Sequence, residues 1–456
     1  MNTTDGDTND RKRPAAIPTV SRIEPDGTFV ELLYRASEAK TEFVVFQNGA
    51  VRSEAEFVTA NGERLVPFSP ENNVIKNNVV LLPSEALEYG SKGDLLGEIE
   101  RFLHRYLDIS PAFEKIAAHY VLFTWVYDAF QENPYLRLQG DFGSGKTRGL
   151  LTIGSLCYKG FFASGASTVS PLFHILDAFR GTLILDEADF RFSDEQAEIT
   201  KILNNGNVNG FPVLRTMINR NKEFNPQAFH IFGPKLVAMR GAYQDRALES
   251  RFLTEVMGTA RLRSDIPINL GSTLKEEALA LRNKLLMFRF RNRDTVASGL
   301  SLLHRSIAPR LRQILSPLLA LVDDSATRDA ILENVSAGYE ALVAERTQST
   351  EAQLLEIIRE LSGEVHRTAI PVLDIADRFS ARHGADYERH ITPRWIGTLL
   401  RQRLHLAPFR SHGRYVLPVN NTLAALYERY GLAADIQASF PFPGSGHGDM
   451  GTLPGQ

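Results

Sequence analysis

The sequence predicts an α/β protein: a parallel sheet built around a glycine-rich loop, preceded by a small β-rich domain and followed by a helical region and a winged helix. Three observations carry that expectation. Gly140 to Thr147 read G-x-x-x-x-G-K-T, between the strand-like "PYLRLQ" and the apolar-periodic "TRGLLTIGSLC". A short apolar run, Leu183 to Leu185, ends in Asp186 and Glu187. Residues 351–420 read as three helices and a closing hairpin, with arginines along both.

The elements follow in order. At 456 residues the chain has room for two or three domains. Residues 1–18 are polar and poor in aromatics, so disorder is expected there. Over 19–90, "TFVELLYR", "TEFVVFQNG", "AEFVTANGERLVPF" and "NNVVLLP" alternate with Gly, Asn and Pro turns, the texture of a small β-rich domain. Over 91–260, helical periodicity begins near Asp94, and "SPAFEKIAAHYVLFTWVYDAF" follows with Ser110 as cap and Pro111 in the first turn. "SPLFHILDAF" repeats that start at Ser170, and Ser193 with Gln196 forms a capping-box pattern before Gly206. A hairpin-like stretch, "GFPVLRTMINRNKEFNPQAF", precedes the apolar strand "HIFGPKLVAMRG". Strands and helices alternating at these lengths indicate a parallel sheet covered on both faces. The helical region spans 261–350 and is basic at its start, with 11 Lys and Arg against 4 acids from Arg261 to Arg312. The winged helix spans 351–420, with Thr392 capping its third helix and "SHGR" turning its wing. The tail, 421–456, is expected to be mostly unstructured.

Charge and cysteine usage narrow the function. A formal charge of −3 does not suit a protein that coats nucleic acid indiscriminately, although a local basic face is compatible with it. One cysteine, Cys157, excludes an intramolecular disulfide and a cysteine-based zinc site. No apolar run is long enough to span a bilayer and the start lacks a signal-peptide core, so a cytoplasmic protein with no membrane partner is expected.

The glycine loop points to a nucleoside triphosphate. Gly140, Asp141, Phe142, Gly143, Ser144 and Gly145 supply backbone N–H groups with little side-chain interference. A helix opening at Lys146 adds its free N–H groups and positive dipole end. The Lys146 ammonium would reach the outer phosphates, and the Thr147 hydroxyl would ligate Mg²⁺. Asp186, at the carboxyl end of its strand, would hold the same Mg²⁺, and Glu187 would polarise the attacking water. The Asn-Lys-x-Asp set that reads guanine is missing, so ATP is the expected nucleotide.

The stretch "YQDRALESRFLTEVM" resembles the "ALxSRF" region of AAA+ ATPases. From about Leu95 to Val256, "HYVLFTWVYDAF", "NPYLRLQGDFGSGKT", "GTLILDEADF", "ILNNGNVNGFPVLR" and "FGPKLVAM" resemble the ATPase module of primase-helicase-type proteins of phages, plasmids and integrative elements. "SPLLALVDD" and the closing winged helix fit that family's carboxyl-terminal part. The resemblance covers about two-thirds of the chain and implies an AAA+-like homo-oligomeric ring, a hexamer among its possible sizes, that hydrolyses ATP and works on DNA, as a helicase or translocase in mobile-element replication. It implies that Arg251 reaches the γ-phosphate of a neighbouring subunit, and that a hairpin carrying Arg215, Arg220 and Lys222 grips a DNA backbone. Arg240 stands where the family usually has a small polar residue, and no primase cluster of acids is visible upstream. In the winged helix, Arg394, Arg401 and Arg403 on the third helix and Arg410 and Arg414 in the wing are the expected DNA contacts. The competing class is an ATP-dependent regulatory switch whose winged helix docks DNA or a partner protein without unwinding.

Overall fold

The computed structural model describes residues 14–164, 167–186, 194–218, 224–243, 245–258, 263–297, 309–347, 350–363, 368–384, 387, 390–430 and 432. The chain divides into two compact units, one ending at Val335 and the other beginning at Ser336.

In the first unit, β1 (Ala16–Thr19), β2 (Ser21–Ile23), β3 (Phe29–Arg35), β4 (Lys40–Gln47), β5 (Ala50–Glu54), β6 (Phe57–Val58) and β7 (Arg64–Pro67) form two small sheets, ordered β2-β3-β4-β5 and β1-β7-β6. Alternation explains them: Val30, Leu32, Phe43 and Val45 are buried in the same apolar cluster as Tyr135, Phe161 and Leu183 of the parallel sheet. The strand expected over "NNVVLLP" is not formed as such. The short α1 (Asn73–Lys76) precedes it, and Val80 makes only an isolated bridge to Phe161.

Next come α2 (Lys92–Tyr106) and α3 (Pro111–Val126). Ser91 and Asp94 close a capping box on α2, and the Ser110 hydroxyl accepts from Phe113 N–H to start α3. Helix α3 is apolar nearly all round and buried from Ile116 to Val126, as a helix inside a large core must be.

The parallel sheet contains β8 (Tyr135–Gln139), β9 (Phe161–Ser164), β10 (Leu183–Asp186), β13 (Lys235–Met239) and β14 (Phe252–Val256), in the order β14-β8-β13-β10-β9. Every pairing is parallel. The helices α4 (Lys146–Gly154), α5 (Val169–Phe179) and α6 (Asp194–Asn205) connect these strands. Helix α5 begins after Thr168, not at Ser170, and no side chain caps it; Ser193 of the expected capping box lies outside the described residues. The antiparallel hairpin β11 (Val213–Ile218) and β12 (Phe224–Phe229) leads into β13, and α7 (Arg246–Glu249) into β14. The long α8 (Ser272–Asn292), α9 (Pro309–Leu319) and α10 (Ser325–Thr347), within which the division falls, follow. Cys157 is fully buried just past α4, and that burial pushes its thiol up to about 12.

The second unit contains α11 (Thr350–Gly363), β15 (Ala369–Pro371), α12 (Val372–His383), α13 (Pro393–Gln402), β16 (Phe409–Ser411), β17 (Arg414–Pro418) and α14 (Asn421–Arg429). Its three strands form one antiparallel sheet, ordered β15-β17-β16, over a core including Leu354, Ile358, Ile375, Phe379, Ile396, Leu400 and Leu417. The stretch read as tail opens with α14, because Asn420 caps it and Leu423, Leu426 and Tyr427 bury one face.

Candidate nucleotide site at the carboxyl end of the parallel sheet

Strand β8 sits between β14 and β13, with Gln139 level with both Val256 and Met239. The chain reaches β14 only after building the other side of the sheet, so β8 lies where the strand order reverses. Open parallel sheets place ligands at such a point, beyond the carboxyl ends. Gly140 leaves β8 there, its N–H donating to the Met239 carbonyl at 3.2 Å. A Cβ at Gly140 would lie 2.7 Å from the Met257 carbonyl oxygen, so only glycine lets the loop turn against β14. Gly145 caps α4 with φ +91°, a left-handed conformation that side chains resist.

The loop places its polar groups in two sets. The Lys146 ammonium donates to the Gly140 and Asp141 carbonyls, each at 2.7 Å, folding back over the loop it follows. The Thr147 hydroxyl donates to Asp186 Oδ2 at 2.8 Å. The register sets that contact: Leu185 of β10 is level with Val237, so Asp186 emerges two residues short of Arg240 and beside the first turn of α4. Asp141, Phe142 and Gly143 are exposed, Phe142 at 90 %. Ser144 Oγ is buried without a hydrogen-bond partner among the described residues. A backbone-held ammonium, a buried orphan hydroxyl and a hydroxyl–carboxylate pair suit an anionic ligand with a hard cation, so the residues present fit ATP and Mg²⁺.

The remaining candidates are placed as follows. Glu187, Arg220 and Lys222 lie outside the described residues. Arg215, on β11, pairs with Glu198 at 3.3 Å and lies over the Phe173 ring. Arg251 precedes β14 at the far end of the sheet, where its carbonyl accepts from Tyr135 N–H. Six residues of extended chain separate it from Met257, the position level with Gly140, about 20 Å at the usual rise per residue. Its guanidinium donates to the Leu203 carbonyl and to the Asn204 carbonyl and side chain, at 3.2, 2.9 and 3.0 Å, satisfying the carboxyl end of α6. Arg148, in the first turn of α4, donates to the Tyr106 and Ile268 carbonyls.

One basic group beside the loop was not read as such from sequence. Arg240 follows β13, and the Gln139–Met239 register sets it next to Gly140. Linear spacing hid it, because 100 residues separate the two; only the parallel pairing of β8 with β13 makes them neighbours.

In the second unit, Arg394 and Arg401 are exposed on one face of α13, opposite buried Ile396 and Leu400. Arg403 is the C-cap of that helix, on its other side. Arg410 and Arg414 are exposed on the β16–β17 hairpin, where Arg410 pairs with Tyr415 and Arg414 with Ser411, so they occupy opposite faces. None of these five makes an ion pair among the described residues, whereas Arg378 and Arg382 of α12 pair with Glu360.

No family model matches the chain, and no curated protein matches it. Among solved structures, the NrS-1 C-terminal region is similar at 10 % identity and a TM-score of 0.35, over 86 % of this chain and 97 % of that one. A Drosophila ORC bound to DNA is similar at 13 % identity and a TM-score of 0.18, over 76 % of this chain and 96 % of that one. At TM-scores this low the likenesses carry no argument about fold or function. No described helix is long and apolar enough to cross a membrane.

Proposed function

We propose that this chain is an ATP-hydrolysing, AAA+-like protein that acts on DNA as a helicase or translocase. The observation that carries the nucleotide part is the Thr147–Asp186 hydrogen bond beside a glycine loop whose lysine rests on backbone carbonyls. In this reading Lys146 exchanges its two carbonyl partners for outer phosphate oxygens, and Ser144 Oγ, unpartnered among the described residues, gains a partner. Thr147 and Asp186 are the groups that would hold Mg²⁺, which supplies charge neutralisation on the phosphates. Glu187, next in sequence to Asp186, orients water and takes its proton. Arg240 is a cation in cis beside the loop. Arg251 is too far along β14 to serve its own loop, and a role on a neighbouring copy requires it to leave the end of α6.

The DNA part rests on the second unit, whose α11–α13 and β16–β17 hairpin we read as a winged helix. Arg394 and Arg401 share an exposed face there, with no carboxylate to neutralise them among the described residues, as phosphate contacts require.

Two measurements test the reading. Lys146→Ala should abolish tight ATP binding, and Glu187→Gln should retain binding while stopping turnover. Equal turnover by both variants and the wild type would remove the ATPase assignment. Arg394→Ala with Arg401→Ala should weaken duplex binding and lower the slope of log affinity against log salt by about 1.8, the value for two lost phosphate contacts. An unchanged slope would sink the assignment of this face. DNA that binds without raising ATP turnover or being unwound would favour the regulatory-switch reading.

A further inference from the structure

The amino end of the parallel sheet, away from the glycine loop, holds a cavity of about 370 Å³. That lies within the usual range of small-ligand sites, roughly 300–1,000 Å³. Arg22 of β2, Arg180 of the turn before β10, Phe211 at the root of the β11–β12 hairpin, His230 before β13, Arg293 after α8 and Asp128 all line it.

Most of this charge is already matched. Arg22 pairs with Glu24 at 3.0 Å and Glu63 at 2.9 Å, and His230 with Asp177 at 3.1 Å. Arg293 pairs with Asp294 at 2.8 Å and lies 3.5 Å from Asp128. Arg180 is different: it is exposed and makes no ion pair among the described residues. Its backbone is left-handed, with φ 50°, and the Tyr127 hydroxyl donates to its carbonyl at 2.7 Å, so the root of the side chain is fixed. A left-handed conformation is unfavourable for a residue with a Cβ, and glycine or asparagine would fill this turn with less strain. An arginine held there in spite of that strain directs attention to its side chain. Phe211, on the same cavity, is 67 % exposed.

An unmatched guanidinium and an open phenyl ring on one cavity call for a ligand with an anionic group and a flat apolar one. We propose that this cavity binds a nucleotide unit, its phosphate on Arg180 and its base against Phe211. The unit comes either from a free nucleotide or from a DNA strand passing the hairpin root. The proposal does not rest on the glycine-loop reading.

The test uses the full chain carrying Lys146→Ala, Arg394→Ala and Arg401→Ala, which removes the nucleotide and DNA contacts proposed above. The probes are dAMP, followed by calorimetry, and a short fluorescent oligothymidylate, followed by anisotropy. Arg180→Asn, which tolerates the left-handed backbone, and Phe211→Ser should each weaken the bound probe about tenfold, the scale of one lost stacking or charged contact. Arg180→Lys should restore part of that loss. Binding of dAMP that Arg180→Asn weakens identifies the free nucleotide as the source. Binding of the oligonucleotide alone, weakened in the same way, identifies the strand. If neither probe binds the parent chain, or both bind the Arg180→Asn and Phe211→Ser variants as tightly as the parent with the circular dichroism unchanged, the proposal is overturned.

Discussion

The two ends of the parallel sheet use charge in opposite ways. At the carboxyl end, Lys146 leans on two neutral carbonyls and Thr147 on one carboxylate oxygen, at a surface open to solvent. At the amino end, Arg289, only 3 % exposed, is held by Glu31 at 3.0 Å, by both oxygens of Asp128 at 2.9 Å and by the Trp125 carbonyl at 2.7 Å. Glu31 also pairs with buried Lys159 at 2.9 Å and accepts from the Tyr158 hydroxyl at 2.6 Å. Burial works to raise the Asp128 carboxyl, but the Arg289 guanidinium outweighs it and holds the carboxyl low. Groups that bind a ligand must be able to exchange partners; groups that hold layers together must not.

That contrast can be broken first at Arg289. Arg289→Met leaves Glu31 and Asp128 without their main partner and should cost about 3–5 kcal/mol of stability, the usual scale for breaking a buried ion pair. Denaturant unfolding measures it. A loss close to that of a surface substitution would show that the amino end is no more tightly tied than the loop.

Thr147→Val tests the other end. It removes one hydrogen bond at an open surface and should cost no more than about 1 kcal/mol of stability. The Mg²⁺-dependent part of ATP affinity should nevertheless fall about tenfold, the scale of one hydrogen bond to a charged group. Affinities measured with Mg²⁺ and with a chelator separate the two effects. A large stability loss with intact Mg²⁺ dependence would make Thr147 a structural residue.

The comparison is sharpened by the pH dependence of Lys235, the first residue of β13. It is fully buried and donates to the Ile231 and Gly233 carbonyls at 3.0 and 2.7 Å. Burial pushes its amine down to about 7. The unfolded lysine titrates near 10.4, so between these values the unfolded state carries the extra proton. Stability should therefore rise with pH from about 7 to about 10 through this group, and its penalty should be greatest below 7. In Lys235→Met that component of the slope should vanish, as unfolding at several pH values would reveal.

Sequence carried the carboxyl end further than the amino end. The glycine loop and the strand ending in Asp186 are local patterns, readable from adjacent residues. The buried network joins Glu31, Asp128, Lys159 and Arg289, whose ion pairs link residues 128 to 258 positions apart in sequence and meet only by folding. No periodicity marks such a set: Arg289 sits in a run that reads as a basic surface helix, yet it is buried. The β-rich texture of the first 90 residues was equally legible, but not that Val30 and Phe43 would enter the core of the parallel sheet. The hairpin pattern that offered Arg215 to a DNA backbone could not show its contacts with Glu198 and Phe173, which belong to other elements.

Cys157 makes the chain unusually convenient for site-directed probes. As the one thiol in the sequence, buried and protonated at neutral pH, it should stay silent toward maleimides while the fold is closed. A cysteine introduced at Phe142, Phe211 or Arg394 would then take a fluorophore alone, without first deleting a native one. Slow alkylation of Cys157 itself would act as a clock for opening of the helix-to-sheet layer beneath the loop, reporting on the fold while the added dye reports on the ligand.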